Sequence, residues 1–195
     1  MAHRVCPWWL GYLLASPLRR LVQDPSKVLG PFLSEGMTVL EPGPGMGFFT
    51  LELARRVGPR GRVVAVDLQP RMLEGLRRRA GQAGLLPRIE LRLGRGESLG
   101  VEDLAGQVDL VLAFAVVHEL PDAACFFREA HGALKEGGAL LLAEPRGHVS
   151  AEAFEATLSV AAAAGLSLSG RPPVRRSLTA LLERREATLG STAER

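Results

Sequence analysis

The chain has 195 residues, 47% of them hydrophobic, with 24 basic and 21 acidic side chains and a formal charge of +3 at pH 7. That length supports one substantial core and is too short for two ordinary domains. Two distant cysteines, Cys6 and Cys125, exclude a disulfide framework and a four-cysteine zinc site, and they fit a reducing compartment, so a cytoplasmic protein is expected.

The basic residues fall in short groups, Arg77-Arg78-Arg79, Arg175-Arg176 and Arg184-Arg185, which solvated helix faces explain better than a nucleic-acid partner does. At the amino end, the apolar run Val5 to Ala15 follows Arg4. Pro7, the Trp8-Trp9 pair and the lack of a small-x-small cleavage site argue against export, and the run is too short to span a bilayer. A helix packed on the domain is expected instead, so residues 1–34 read as a helical cap or lid. Within it, Asp24-Pro25 reads as an N-cap with proline at the first helical position, opening a helix through about Leu33.

From Met37 the rhythm changes to short apolar runs between amphipathic stretches: Met37 to Leu40, Val63 to Val66, Ile89 to Leu93, Leu110 to Phe114 and Ala139 to Ala143. These predict five strands with helices between them, an α/β doubly wound domain over 35–186. Continuously apolar Val63 to Val66 and Leu110 to Phe114 belong in the middle of a parallel sheet, whereas Ile89-Glu90-Leu91-Arg92-Leu93 alternates and belongs at an edge. Pro70 and Pro121 open helices, and Ser150 caps another that ends at Gly165. Leu166 to Leu168 and Leu178 to Leu182, separated by Pro172-Pro173, predict a closing antiparallel pair. The polar tail 187–195 is expected to fray.

The most informative segment is Glu41-Pro42-Gly43-Pro44-Gly45-Met46-Gly47-Phe48, a strand end running into a glycine-rich turn. Glycines there let the backbone approach a nucleotide-like ligand closely. Asp67 ends the next strand, 20 residues after Gly47, where an acid can accept hydrogen bonds from ribose hydroxyls. A dinucleotide fingerprint needs glycine where this chain has Phe48, and Glu41 would repel a pyrophosphate.

On these residues, with Val64-Ala65-Val66-Asp67, Val108-Asp109-Leu110-Val111 and Leu134-Lys135-Glu136-Gly137-Gly138, the sequence resembles the class I S-adenosylmethionine-dependent methyltransferases. It is most similar to the small-molecule branch that includes the quinone C-methyltransferases, over residues 35 to 185. The resemblance implies a Rossmann-like seven-stranded sheet in the order 3-2-1-4-5-7-6 with strand 7 antiparallel. It also implies S-adenosylmethionine as methyl donor, S-adenosylhomocysteine as product, and no metal. Glu41, Gly43, Gly45 and Gly47 would then serve the methionine moiety, Asp67 the ribose and Leu68 the adenine, with Ala113 contributing from the end of strand 4. The family's usual acid after strand 3 is replaced by Gly94-Arg95-Gly96-Glu97, so that Glu97 or backbone atoms take the adenine amino group.

Methyl transfer from a sulfonium depends mainly on positioning. If the acceptor must lose a proton, His118, just past strand 4 at the carboxyl edge, is the candidate base, with Glu119 similarly placed; orienting the loop before Pro121 is His118's alternative role. Trp8, Trp9 and Tyr12 are candidates for a water-excluding lid or an acceptor contact. Cys6 is a weak candidate for a metalloid ligand, because arsenic methyltransferases use several cysteines. The acceptor is expected to be a small molecule and the protein a monomer or homodimer. The alternatives are a nicotinamide-dependent oxidoreductase, a cofactor-binding partner protein without turnover, and an RNA methyltransferase.

Overall fold

Asp24 accepts a hydrogen bond from the Ser26 amide at 3.0 Å, and Pro25 fills the first helical position, so the first helix starts where its capping residues demand. In this computed structural model, which describes residues 23–96 and 98–184, that helix, α1, is Pro25–Leu29. It is shorter than the expected span to Leu33. Pro31 has no amide proton to donate, and the chain tightens at Gly30–Phe32 into a 3-10 turn.

The remaining elements follow in the order β1 (Thr38–Pro42), α2 (Thr50–Arg56), β2 (Arg62–Asp67), α3 (Pro70–Gln82), β3 (Ile89–Leu93), β4 (Val108–Phe114), α4 (Ala123–Ala133), β5 (Leu134–Pro145), α5 (Ala151–Ala163), β6 (Leu166–Gly170) and β7 (Ser177–Arg184). They build a seven-stranded sheet in the order β3-β2-β1-β4-β5-β7-β6. The first five strands pair in parallel, and β7 runs antiparallel to both β5 and β6. β2 and β4 each have neighbours on both sides, and alternating β3 is an edge strand, as its pattern predicts.

Two differences from the sequence expectation have local causes. β1 continues to Pro42 because Glu41 and Pro42 still pair with Ala65 and Val66 of β2, while pairing with β4 stops at Leu40; proline is tolerated where one side of the ladder is free. Pro121 does not open α4. Asp122 caps it, accepting from the Cys125 amide at 2.8 Å, which puts the proline one place outside the helix.

Alternate residues along the strands face opposite layers. Val39, Val63, Leu110, Leu112 and Leu141 pack with Phe49, Leu53 and Leu76 from α2, its approach loop and α3, and Leu29 of α1 joins this layer. Leu40, Val64, Val111, Leu140 and Leu142 pack with Phe126 and Phe127 of α4 and Phe154 of α5. Between β1 and β4 the crossovers change faces, so the loops that leave the carboxyl ends of these two neighbouring strands part in opposite directions. Among the described residues no helix is long and apolar enough to cross a membrane. The predicted lid residues Trp8, Trp9 and Tyr12 and the tail 187–195 lie outside the described residues.

Phe127 is fully buried at the centre of one layer. Phe127→Ala should therefore cost about 3–5 kcal/mol, read as a lower urea midpoint at unchanged m-value; an unchanged midpoint would remove Phe127 from the core.

Candidate functional site

At the parting of the β1 and β4 loops lies a cavity of about 400 Å³, lined mainly by apolar groups. Its floor is the turn after β1. Gly43, Gly45 and Gly47 have φ of +67°, +54° and +85°, a region that disfavours side chains. Their surroundings differ. A Cβ on Gly43 would meet Val116 Cγ2 at 2.8 Å, one on Gly47 would overlap Leu76 Cδ1, and one on Gly45 would meet nothing within 4 Å. Gly43 and Gly45 line the cavity; Gly47 serves the packing of the turn on α3.

Two carboxylates stand beside this turn. Glu41, 4% exposed, has its pKa raised to about 8 by burial, an effect that the neighbouring Thr50 side chain opposes and the nearby Asp67 charge adds to. Its Oε2 and the Oγ1 of Thr50 are both buried and, although the two side chains lie close together, neither atom makes a well-formed hydrogen bond among the described residues, a costly state for polar atoms unless a ligand completes them. Asp67 has its pKa raised to about 6, again chiefly by burial. Its Oδ2 accepts from the Gly45 amide at 3.2 Å and its Oδ1 from the Gln69 amide at 2.9 Å. Each oxygen keeps further acceptor capacity.

Beyond Asp67, Leu68 is 39% exposed and lines the cavity together with Gly94, Gly96, Ser98 and Leu99. A Cβ on Gly94 would press on Leu68 Cδ2 at 3.0 Å, so this glycine leaves Leu68 its place. Arg95 is not among the lining residues; it closes a small antiparallel bridge with Ser98. Glu97 lies outside the described residues. An acid that the sequence reading missed arrives from α4: Glu129 accepts from Ser98 Oγ at 2.6 Å and from the Leu99 amide at 2.8 Å, and it lines the cavity. Ala113 is fully buried in the opposite layer, and the wall here is made by Leu112, Phe114 and Ala115.

His118 lies in the 3-10 turn Val117–Glu119 after β4 and lines the cavity with Glu119. Its Nδ1 is 2.5 Å from Oε2 of Glu144, a residue near the end of β5 that is 2% exposed. The other Glu144 oxygen, Oε1, accepts from the amides of Val117 at 2.8 Å and His118 at 3.2 Å. The hydrogen bond to Glu144 raises the His118 pKa above its ordinary value, against the effect of burial. The His148 ring lies edge-on to that of His118, with centroids 5.7 Å apart. Glu144 and His148 also went unread in the sequence, although Glu144-Pro145-Arg146-Gly147-His148 follows strand 5 at the same carboxyl edge that pointed to His118.

A family profile described as a methyltransferase domain matches residues 33–177. Among curated proteins, an arsenite methyltransferase of Halobacterium salinarum is 31% identical over 112 residues, 57% of this chain and 28% of that protein. A ubiquinone biosynthesis O-methyltransferase of Methylobacterium sp. is 33% identical over 136 residues, 70% of this chain and 51% of that protein. The chain thus spans between about a quarter and half of the length of these relatives. The crystal structure of an S-adenosylmethionine-dependent methyltransferase from Aquifex aeolicus superposes with a TM-score of 0.79 at 26% identity, covering 91% of this chain and all of that one.

The raised pKa of Glu41 makes a stability prediction with a definite sign. The folded protein holds a proton that the unfolded chain releases above pH 4.5, so stability drains away as pH rises from about 4.5 to about 8. Glu41→Gln removes that loss. Its melting temperature should exceed that of the parent by a margin that widens between pH 5 and 8 and then levels off; a margin independent of pH would show that Glu41 is not buried as described.

Proposed function

We propose, from the premise that this chain belongs to the methyltransferase-domain family, that it transfers the methyl group of S-adenosylmethionine to a small-molecule acceptor held in the cavity between the β1 and β4 loops. The observation that carries this reading is the pair of buried carboxylates at a glycine turn, one with an oxygen that makes no well-formed hydrogen bond among the described residues. Such a floor fits a ligand bearing a cationic ammonium and a vicinal diol, the two polar ends of S-adenosylmethionine. It does not fit a pyrophosphate, which would meet Glu41 and the buried Phe48.

In this reading Glu41 faces the ammonium, and ionises as it does so. Asp67, with its orientation fixed by the Gly45 and Gln69 amides, receives the diol. Leu68 packs on the adenine, and Gly94, Gly96 and Leu99 bring backbone close to its edge. Ser98 and Leu99 are themselves held by Glu129, so an acid on α4 supports the segment where the family's usual acid would stand. When bound, S-adenosylmethionine supplies an electrophilic methyl group on a sulfonium. The apolar walls formed by Leu112, Phe114 and Val116 exclude competing water and hold the acceptor in reach. His118 is the group placed to take a proton from an acceptor that must lose one.

Several relatives carry names that point to small molecules, among them an arsenite methyltransferase and a ubiquinone biosynthesis O-methyltransferase. They support a small-molecule acceptor over RNA, as does the absence of a long basic tract in the sequence.

Asp67→Ala should weaken S-adenosylhomocysteine binding at least tenfold by calorimetry, about 1.4 kcal/mol, with the fold retained, because charge-assisted bonds to a diol are lost. Unchanged affinity would take Asp67 out of the site. In a thermal-shift assay S-adenosylhomocysteine should stabilise the parent protein and NADH should not; the reverse pattern would replace the methyltransferase reading with an oxidoreductase one.

A further inference from the structure

We infer that Glu144 is the positioning residue that makes His118 a base toward the cavity, and that the acceptor is therefore a neutral, weakly acidic hydroxyl, phenolic or enolic, methylated on oxygen. This rests on the methyltransferase reading above and deepens it.

Glu144 uses both of its carboxylate oxygens. One oxygen is committed to two backbone donors, the amides of Val117 and His118. The other meets Nδ1 of His118 at 2.5 Å. A carboxylate accepts and does not donate, so the imidazole proton is placed on Nδ1 and the lone pair on Nε2. Nε2 lies 3.9 Å from the nearer Glu119 oxygen, beyond hydrogen-bond reach, so its lone pair is left for a ligand. The ring lines the cavity, and its carboxylate partner is buried, which keeps the pair strong by excluding water.

Among the described residues, the titratable groups recorded against His118 are Glu144 from β5, Glu119 from its own turn and His148 from the segment after β5. Both acids favour the imidazolium once a proton arrives. A base so arranged is superfluous for several acceptor classes. A carboxylate is already ionised, a thiol ionises readily near neutral pH, and a neutral amine attacks through its lone pair before losing a proton. A phenolic or enolic hydroxyl differs, since with a pKa near 10 it is un-ionised in the cavity and is a poor nucleophile until its proton departs. As the acceptor oxygen forms its bond to the methyl carbon, its proton passes to Nε2 of His118. The electron pair of the broken carbon–sulfur bond stays on sulfur, giving a neutral thioether, a methyl ether and an imidazolium that later releases the proton to solvent.

Glu144→Gln tests positioning separately from folding. Its amide oxygen would still be held by the Val117 and His118 amides, which leaves the NH2 group facing Nδ1. The histidine must then accept at Nδ1 and carry its proton on Nε2, where it can no longer act as base. Three measurements decide the matter. Calorimetry should give S-adenosylhomocysteine affinities within about twofold for parent and variant; failure of the parent to bind would sink the methyltransferase reading itself. Nitrogen-15 NMR should find the parent's His118 protonated on Nδ1 and the variant's on Nε2, and a parent protonated on Nε2 would overturn the assignment to Glu144. With labelled S-adenosylmethionine and a panel of catechol, methyl 4-hydroxybenzoate, thiophenol and benzylamine, the hydroxyl probes should be methylated on oxygen by the parent. Their rate should rise with pH through the raised His118 pKa, and should fall by roughly 10²- to 10⁴-fold in Glu144→Gln. A variant with unchanged rate and pH profile would reduce Glu144 to a loop clamp. If a protein that binds S-adenosylhomocysteine methylates none of the hydroxyl probes, or only the thiol or amine, the acceptor class is wrong.

Discussion

Everything at the site depends on where the parallel sheet reverses the direction in which successive strands are added. β1 and β4 are neighbours in the sheet but distant in the chain, because the crossovers after β1 and β2 place α2 and α3 on one face, whereas those after β4 and β5 place α4 and α5 on the other. Two loops leaving adjacent strand ends toward opposite faces diverge beyond the close approach of Gly43 to Val116. The gap between them is a cavity that the fold creates before any ligand is considered, and apart from Thr50 and Glu129, which sit on helices, its polar side chains are carried there by strand ends or by loops at the carboxyl edge.

That position imposes a cost which the residues record. Glu41 and Asp67 are buried at the ends of β1 and β2, and desolvation lifts their pKa values to about 8 and about 6. A core optimised for stability alone would hold apolar residues of similar volume there. Retaining two acids, one with an unpartnered oxygen, makes sense where a cation and a diol restore the missing bonds. Thr50 Oγ1, also buried and unpartnered at the start of α2, belongs to the same pattern. In the proposed reading, a complementary ligand would convert this local cost into affinity.

The sheet, and the cavity wall formed by the glycine turn and Asp67, were legible in the sequence because both rest on short-range rules. Continuous apolar runs mark central strands and alternation marks the β3 edge. Glycines and acids at a strand end mark a ligand turn, and Ser150 accepts from the Ala153 amide at 3.2 Å as a capping residue should. What stayed hidden was set by contacts between residues far apart in the chain. Nothing local to Glu129 says that it reaches back over 30 residues to the Leu99 amide, and nothing in Leu-Ala-Glu-Pro says that Glu144 turns toward His118. Ala113 and Arg95 misled for a related reason: spacing puts them near the site, but the pleat turns Ala113 into the opposite layer and a bridge to Ser98 occupies the Arg95 backbone.

The antiparallel strand completes the other half. Because β7 runs against β5, its first residue, Ser177, pairs with Pro145 at the carboxyl end of β5, and the segment before it is returned to the same edge as the β1 and β4 loops. Arg176 arrives there with φ of +64°, its carbonyl accepting from the Arg146 amide at 3.1 Å, and joins His118 and His148 in lining a cavity whose other ionisable groups are acids. The site therefore has two sources. Its acids at Glu41 and Asp67 come from the parallel half of the sheet, whose register is fixed on both faces by packing. Its imidazoles and its arginine come from turns after β4 and β5 and before β7, which can change in sequence without disturbing that register. A fold built this way can keep one ligand site while the neighbouring one varies, and in this chain the variable half holds an imidazole oriented by a buried carboxylate.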